Sequence, residues 1–181
     1  MTIYTRKGDD GTTGLLFGGR VRKDDPLPQA YGEVDEAQAA LGLARAEAER
    51  GSELDDLLIR LQRDLWVVMG ELATAPENRH KLGETGVVTA AMVEALEPII
   101  DDLTTRFEPP REFVLPGQNR PAAALDLACR VIRRAERRTL AVASEGSHVL
   151  AYLNRLSDLV WTMARWQEGG FVPARDPEGK S

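Results

Sequence analysis

The chain has 181 residues with one Cys and two His, and its 29 Asp and Glu outnumber its 23 Lys and Arg, which gives a formal net charge of −6. A single Cys excludes an internal disulfide and a multi-cysteine metal site, and the acidic balance argues against a nucleic-acid binder that relies on overall charge. No stretch approaches the roughly 18 consecutive apolar residues of a membrane helix, and the first residues lack an apolar signal region, so we expect a cytoplasmic protein with no membrane partner.

Residues 1–29 are rich in Gly, Thr and charged residues and show no helical or strand period, which predicts an ordered loop or a disordered arm. Glycines allow backbone N–H groups to converge on phosphate oxygens, and Thr hydroxyls and basic side chains add donors and charge. The stretch is not a Walker A loop, because Arg20-Val21 stands where that motif has Lys-Ser/Thr. Composition alone therefore leaves two interpretations open, a polyphosphate cradle and a flexible basic arm.

Five segments with the apolar periodicity of a helix follow residues 1–29. Apolar residues spaced by three and four predict helices over about 30–50, 54–72, 92–107, 121–143 and 147–168. Pro98 predicts a bend in the third helix, and Pro121 suits the first turn of the fourth. Since the chain has almost no strand signal, the predicted fold is an all-α five-helix bundle in one domain, 1–181. The tail over 169–181 has no readable period, which is typical of a disordered terminus.

The fourth predicted helix carries the densest charge, because five of the nine residues from Arg130 to Arg138 are Arg. At about 100° per residue, its core-facing side consists of Leu125, Cys129, Ile132, Leu140 and Ala143. Glu136 falls within that side and Arg133 near its edge, whereas Arg134 and Arg138 point away and indicate a solvated surface. A charged pair on an apolar face costs several kcal/mol per ion unless it is paired or binds something. Arg133 and Glu136 therefore indicate a buried structural ion pair or a site for an anionic ligand.

Two other predicted helices each carry a polar stripe. These stripes are Asn154, Asp158, Trp161 and Arg165 in the last helix, and Asp35, Gln38, Gly42 and Arg45 in the first. Taken alone, each stripe is typical of ordinary surface. Gly42 is disfavoured in a helix by about 1 kcal/mol, and it is either tolerated or lets another chain approach closely. His80 and His148 have no His or Cys at i+3 or i+4, which argues against a His-based metal site and a Ser-His-Asp triad.

Six motifs occur in a fixed order between about residues 3 and 168. They are Tyr4-Thr-Arg-Lys-Gly-Asp-Asp-Gly-Thr-Thr-Gly-Leu-Leu16, Arg20-Val-Arg-Lys23, Ala30-Tyr-Gly-Glu-Val-Asp-Glu36, Phe113-Val-Leu-Pro-Gly117, Arg133-Arg-Ala-Glu-Arg137 and Tyr152-Leu-Asn-Arg-Leu-Ser-Asp158. In these motifs the chain resembles the PduO-type ATP:cob(I)alamin adenosyltransferases. Linked motifs in the same order are far more specific than any one of them.

The resemblance implies a helical bundle that assembles as a homotrimer and binds ATP between adjacent subunits. It also implies the reaction, in which Co(I) of a reduced cobalamin attacks the 5′ carbon of ATP, forms adenosylcobalamin and releases triphosphate. ATP, Mg²⁺ and cobalamin would be bound, with Mg²⁺ carried by the nucleotide and no metal site in the protein itself. A reductase and an acceptor enzyme would be further partners, and nucleic acid would not.

The same resemblance assigns roles to residues that match the family's motifs. The triphosphate with its Mg²⁺ would be wrapped by Thr5, Arg6, Lys7, Gly8, Thr13, Gly14 and Lys23. The remaining nucleotide contacts would come from Arg133, Arg134, Ala135, Glu136, Arg137 and Asn154. Arg133, Phe113 and Asp35 would act in catalysis. Phe113 would press on the lower face of the corrin, displacing its axial base and making Co(II) easier to reduce.

The chain departs from the family pattern on one helix. Members read Leu-His-x-Ala-Arg where this chain reads Leu125-Asp-Leu-Ala-Cys129, and the family's Arg pairs with the Asp that corresponds to Asp35. Asp35 therefore lacks its expected partner, for which Arg130 or Arg45 could substitute. Gln38 also replaces the usual Asn. These changes favour one alternative function, a paralogue that binds ATP and a tetrapyrrole as a delivery or sensing protein.

Overall fold

The computed structural model describes residues 3–175 and consists mainly of packed helices. The helices are α1 (Pro26–Ala46), α2 (Glu53–Leu72), α3 (Ala90–Glu94), α4 (Glu97–Thr104), α5 (Arg120–Thr139) and α6 (Val149–Glu168). Four short strands are β1 (Thr12–Gly14), β2 (Arg20–Arg22), β3 (Val114–Leu115) and β4 (Val172–Pro173). The all-α prediction is confirmed. Within the described residues, none of the helices has the length and apolar character needed to cross a membrane.

The core lies between α5 and the helices on its two sides. α5 packs against both α1 and α6, α2 packs on the outer side of α1, and α4 packs on α6. The fully buried side chains at the centre include Leu41, Leu61, Leu65, Ile132 and Leu156. Burying each such side chain contributes about 1.5–3 kcal/mol, so this core holds α5 and α6 at a fixed spacing.

The helix starts follow from their capping residues. Asp25 accepts a hydrogen bond from Leu27 N at 3.0 Å, and Pro26 occupies the first turn of α1. α1 therefore begins at residue 26, and the predicted bounds of 30–50 were wrong at both ends. Asn119 caps α5 in the same way, accepting from Ala122 N at 2.9 Å.

The third predicted helix, 92–107, is two helices, so the described chain has six α-helices rather than five. Pro98 lies in the first turn of α4, where it has no N–H to donate. Its ring also clashes with a helical carbonyl four residues earlier, which is that of Glu94, the last residue of α3. The sequence analysis placed the irregularity correctly at Pro98, but it predicted a bend in one helix where the structure has two separate helices.

Two strand pairs were missed by the sequence analysis. β1 and β2 form an antiparallel hairpin with Thr13 opposite Val21, so the described part of the N-terminal segment is ordered. Leu16 N donates to Ala73 O at 2.8 Å and docks the hairpin on the end of α2. In the predicted tail, β4 pairs with β3. Residues 176–181 of that tail lie outside the described part of the chain.

Candidate functional site

The N-terminal segment is folded around the side chain of Arg20. Its Nη2 donates to Lys7 O at 2.5 Å and to Thr12 Oγ1 at 2.6 Å. Asp10 accepts from both the backbone N and the hydroxyl of Thr12, at 2.9 and 2.7 Å. The hydroxyl contact, followed by the backbone contact, lowers the pKa of the Asp10 carboxyl. Arg20 and Asp10 thus hold the predicted phosphate-binding residues in one loop without being among them.

Within that loop, Lys23 lies directly over Gly8. A Cβ built on Gly8 would lie 3.2 Å from Lys23 Nζ and 3.2 Å from Thr12 O, so a larger residue would displace the ammonium group. Among residues 3–175, Arg6, Lys7 and Lys23 form no ion pair with a carboxylate. The folded N-terminal segment thus carries three exposed cations together with several hydroxyl and amide donors, a donor set that suits phosphate oxygens.

The predicted nucleotide residues of α5 and α6 meet across the two helices. Asn154 Nδ2 donates to Glu136 Oε1 at 3.1 Å, and Arg133 Nε lies 3.5 Å from Ser157 Oγ. Ala135 is fully buried in the core, which leaves its side chain no access to a ligand. Arg137 is exposed on the same helix. The structure thus brings Arg133, Glu136 and Asn154 to neighbouring positions on one surface.

The predicted burial of the charged pair was wrong. Arg133 is exposed and Glu136 is half-buried, because the buried side of α5 centres on Ala128, Ile132 and Ala135. Leu140, predicted in the core, is 66% exposed for the same reason. The Arg133 guanidinium therefore faces solvent and is open to an anionic ligand, which removes the buried ion pair as an explanation.

Arg134 was predicted to point into solvent, and instead it binds α1. Its Nε donates to Glu33 Oε2 at 2.5 Å, and its Nη2 pairs with Glu36. These contacts, with that to Glu36 contributing most, raise the pKa of Arg134 above its already high value. Arg138 lies 3.9 Å from Glu33 on the same side. Arg134 is thus fixed in a contact between helices, away from Arg133.

A cleft of about 430 Å³ joins Phe113 to the α5 surface. Phe113 and Arg133 both line it, together with Trp161 of α6 and Arg130 of α5. The Phe113 ring is 89% exposed, an unusual position for a large apolar side chain unless it contacts a ligand or partner. Aromatic faces and guanidinium groups in one cleft suit a large, flat, partly polar molecule.

The buried charges at this cleft, which Arg165 lines, were not predicted. Arg165, assigned from its spacing to a surface stripe, is 3% exposed and pairs with Asp126 and Glu168. Its guanidinium carbon lies 5.6 Å from the centre of the Trp161 ring. The sequence signal was the polar stripe itself, but helix periodicity alone could not show that a charged partner on α5 faced it.

The model of the cobalamin adenosyltransferase family matches residues 3–167. The chain belongs to this family. It is 40% identical to a corrinoid adenosyltransferase of Citrobacter freundii, over 92% of this chain and 94% of that protein. It is also 40% identical to the corrinoid adenosyltransferase PduO of the same species over 93% of this chain, which spans 50% of that longer protein.

A solved structure has the same fold along its whole length. It is a variant PduO-type ATP:corrinoid adenosyltransferase from Lactobacillus reuteri complexed with cobalamin and ATP, with a TM-score of 0.87 and 29% sequence identity. The match covers 97% of this chain and 100% of that one. The helical bundle of this cobalamin adenosyltransferase family member is therefore that of the PduO-type proteins.

The family's helix position that is changed in this chain is filled by the buried Cys129. Its Sγ donates to Ser157 O at 3.3 Å, and burial raises the pKa of the thiol, with the nearby Arg133 opposing that shift. Asp35 is exposed and forms no ion pair among the described residues. Neither expected substitute reaches it, because Arg45 pairs with Asp55 at 2.7 Å and Arg130 lies 3.7 Å from Asp126.

Gly42 of α1 allows a close approach by a neighbouring side chain. A Cβ there would lie 3.2 Å from Gln62 Nε2 on α2, so the close approach is made by a helix of the same chain. Gln38 Nε2 donates to Gln62 O at 2.7 Å beside it. In this family member, the replacement of Asn by Gln at position 38 thus serves the contact between α1 and α2.

The predicted ATP-binding residues lie in two parts of the chain, the N-terminal segment and the surface of α5 and α6. The hairpin is docked on the end of α2, and in residues 3–175 no hydrogen bond or ion pair joins the N-terminal segment to α5. The same described residues contain no group of three or more His, Cys, Asp or Glu placed to hold a metal ion.

Proposed function

We propose that the protein is a corrinoid adenosyltransferase that moves the 5′-deoxyadenosyl group of ATP to Co(I) of cob(I)alamin. The main observation behind this proposal is the cleft that joins the exposed Phe113 ring to Arg133. The chain's similarity to proteins described as corrinoid adenosyltransferases is a second support. In the reaction, two electrons of Co(I) form the cobalt–carbon bond. The bond between the 5′ carbon and its oxygen breaks, and its electron pair leaves with triphosphate.

The protein's part is to position the reactants and to neutralise the leaving group. No general base is required, because the nucleophile is a metal centre and the leaving group is a polyanion. Arg6, Lys7 and Lys23, which lack carboxylate partners in the described structure, would bind the triphosphate with the nearby hydroxyl and amide groups of Thr5, Gly8, Thr13 and Gly14. Mg²⁺ would arrive on the triphosphate and offset further charge.

The surface of α5 and α6 would hold the rest of the nucleotide. Arg133 is exposed, and its guanidinium has one long contact, from Nε to Ser157 Oγ at 3.5 Å. The guanidinium is therefore free to reach a phosphate oxygen. Glu136 and Asn154 orient one another at 3.1 Å and present further hydrogen-bonding atoms beside it. Arg137 is exposed and can add charge, whereas Arg134 and Ala135 act through α1 packing and the core.

Phe113 would contact the corrinoid. Its exposed ring presents a flat apolar surface at the edge of the cleft, and a corrin ring offers a matching face. By occupying the space under the cobalt, the ring would exclude water and the lower axial base, which makes the metal easier to reduce. Asp35, exposed on α1, would act at a contact with another copy of the chain.

The assembly would be a homotrimer with each ATP site between two copies. In the described residues no hydrogen bond or ion pair joins the N-terminal segment to Arg133, which supports this arrangement because a neighbouring copy can supply the other half. A reductase would deliver the electron and an acceptor enzyme would receive the product, all in the cytoplasm. The single free and buried Cys129 suits such a reducing compartment.

Anaerobic incubation with MgATP and chemically reduced cobalamin tests the proposed activity. We expect the cob(I)alamin spectrum to be replaced by that of adenosylcobalamin, with one triphosphate released for each product formed. Omitting ATP is the control. If ATP binds and no adenosylcobalamin forms, the alternative, a delivery or sensing paralogue, is favoured. The unpartnered position of Asp35 is the observation that supports that alternative.

A further inference from the structure

Three charged side chains are packed together at the base of the cleft, and one of them, Arg165, lines it. Arg165 Nη2 pairs with Asp126 Oδ2 and donates to Glu168 Oε1 at 2.9 Å, while its Nε lies 2.8 Å from Glu168 Oε2. The three side chains are 2%, 4% and 1% exposed for Arg165, Asp126 and Glu168. Burial raises the pKa of Glu168, with Arg165 opposing the shift. Such buried clusters seldom stabilise a fold more than apolar residues would, which suggests a role in placing neighbouring groups.

The cluster contacts two further residues that line the cleft. The Arg165 guanidinium lies against the face of Trp161 at 5.6 Å, and Trp161 lines the cleft together with Phe113. On the other side of the cluster, Asp126 Oδ1 lies 3.7 Å from Arg130 Nη2, and Arg130 also lines the cleft. Asp126 Oδ1 has no hydrogen bond among the described residues. A single carboxylate thus links two cleft walls that belong to different helices.

We infer that Asp126 is a positioning residue for the corrinoid, acting through Arg165 on Trp161 and directly on Arg130. This inference rests on the proposed function for the identity of the ligand. The nucleotide contacts should be spared, because no hydrogen bond or ion pair among the described residues joins Asp126 to Arg133, which contacts Ser157 instead. Asp126 should therefore affect the binding of one substrate and not that of the other.

The first test separates the two substrates kinetically. Asp126→Asn keeps the side-chain shape and removes the charge, and we expect the KM for cob(I)alamin to rise about tenfold while the KM for ATP changes less than about twofold. Asp55→Asn is the matched control, since Asp55 is also buried and paired with an Arg, at 2.7 Å, but on the far pair of helices. Equal changes in both KM values, or the same change in Asp55→Asn, would overturn the inference.

The second test requires no activity. With Trp66 and Trp166 replaced by Phe, fluorescence reports Trp161 alone, since the chain has three Trp. We expect Asp126→Asn to shift the Trp161 emission in the absence of substrate, and Asp55→Asn to leave it unchanged. Unchanged emission in Asp126→Asn contradicts the inference. Arg165→Lys, which keeps the charge and loses the planar fork, should produce the same shift and decides the question if Asp126→Asn does not fold.

The two proposals fail in different ways. If the wild-type protein makes no adenosylcobalamin, the proposed function is wrong, while the Trp161 emission still decides whether Asp126 sets the cleft wall. If the wild type is active and Asp126→Asn matches Asp55→Asn in both KM values and emission, the positioning role is wrong and the proposed function stands.

Discussion

Arg133 and Arg138 lie five residues apart on α5 and face different surroundings. Arg133 lines the cleft and has one long contact, to Ser157 Oγ at 3.5 Å, whereas Arg138 lies 3.9 Å from Glu33 on the α1 side. Helix periodicity separated the two directions correctly. It placed Arg133 too close to the core, because Leu140 was counted as a core residue and is exposed.

This difference predicts unequal effects on ATP binding. Arg133→Ala should weaken MgATP binding about tenfold or more, since it removes a charge-assisted contact to a phosphate. Arg138→Ala removes the same charge from α5 and should change the Kd for MgATP less than about twofold. Isothermal titration of both variants with MgATP measures the two values. Similar losses in the two variants would show that only overall charge matters.

At the scale of single residues, the buried charges were the least predictable feature. Asp126 and Arg165 each fall at the edge of an apolar stripe, where burial depends on what the facing helix supplies. Cys129 was correctly placed on the inward side of α5, and its contact with Ser157 O is typical of a buried thiol. Asp35, for which the linked motifs led us to expect an Arg partner, is exposed and forms no ion pair among the described residues.

Between elements, Glu71 joins parts of the chain that are far apart in sequence. It is 5% exposed, accepts from Ser147 Oγ at 2.6 Å and from Val88 N at 2.6 Å, and pairs with Arg79. These contacts connect the end of α2 to a short 3-10 helix (Pro76–Lys81), to the chain before α3 and to the turn before α6. The hairpin docks two residues later, at Ala73. Glu71 thus anchors the end of the bundle that carries the N-terminal segment.

Glu71→Gln should therefore destabilise the fold. The amide cannot serve all three donors, and Arg79 loses its carboxylate, so we expect the free energy of unfolding to fall by about 2 kcal/mol or more. Glu77→Gln, an exposed change nearby, is the control and should alter it by less than about 0.5 kcal/mol. Urea denaturation followed by circular dichroism gives both values. Equal stabilities would mean that the Glu71 contacts contribute no net stability.

The helices themselves were predictable because each has a continuous apolar stripe. α2 and α6 begin and end within about two residues of their predicted bounds. Errors arose where one residue overrides periodicity, as Pro98 does between α3 and α4 and as Asp25 does at the start of α1. The short strands were missed because pairs of two or three residues form through contacts with distant segments and leave no period in the sequence.

For the whole molecule, the linked motifs predicted the family, and the family model confirms it. The motif residues converge only in part. Arg133, Glu136 and Asn154 share a surface beside the cleft of Phe113, while the N-terminal cations lie on the hairpin side, joined to it through Arg20. We therefore propose that one ATP site is built from two copies of the chain.

Mixing two inactive variants tests that claim most directly. Lys23→Ala removes the cation over Gly8, and Arg133→Ala removes a cation that lines the cleft, so each protein alone should form adenosylcobalamin at a small fraction of the wild-type rate. After subunit exchange at equal concentrations, random assembly gives about a quarter of the shared sites an intact half from each copy. We therefore expect about a quarter of the wild-type activity to return. A mixture that exchanges subunits and stays as inactive as its components would show that each site is contained within one chain.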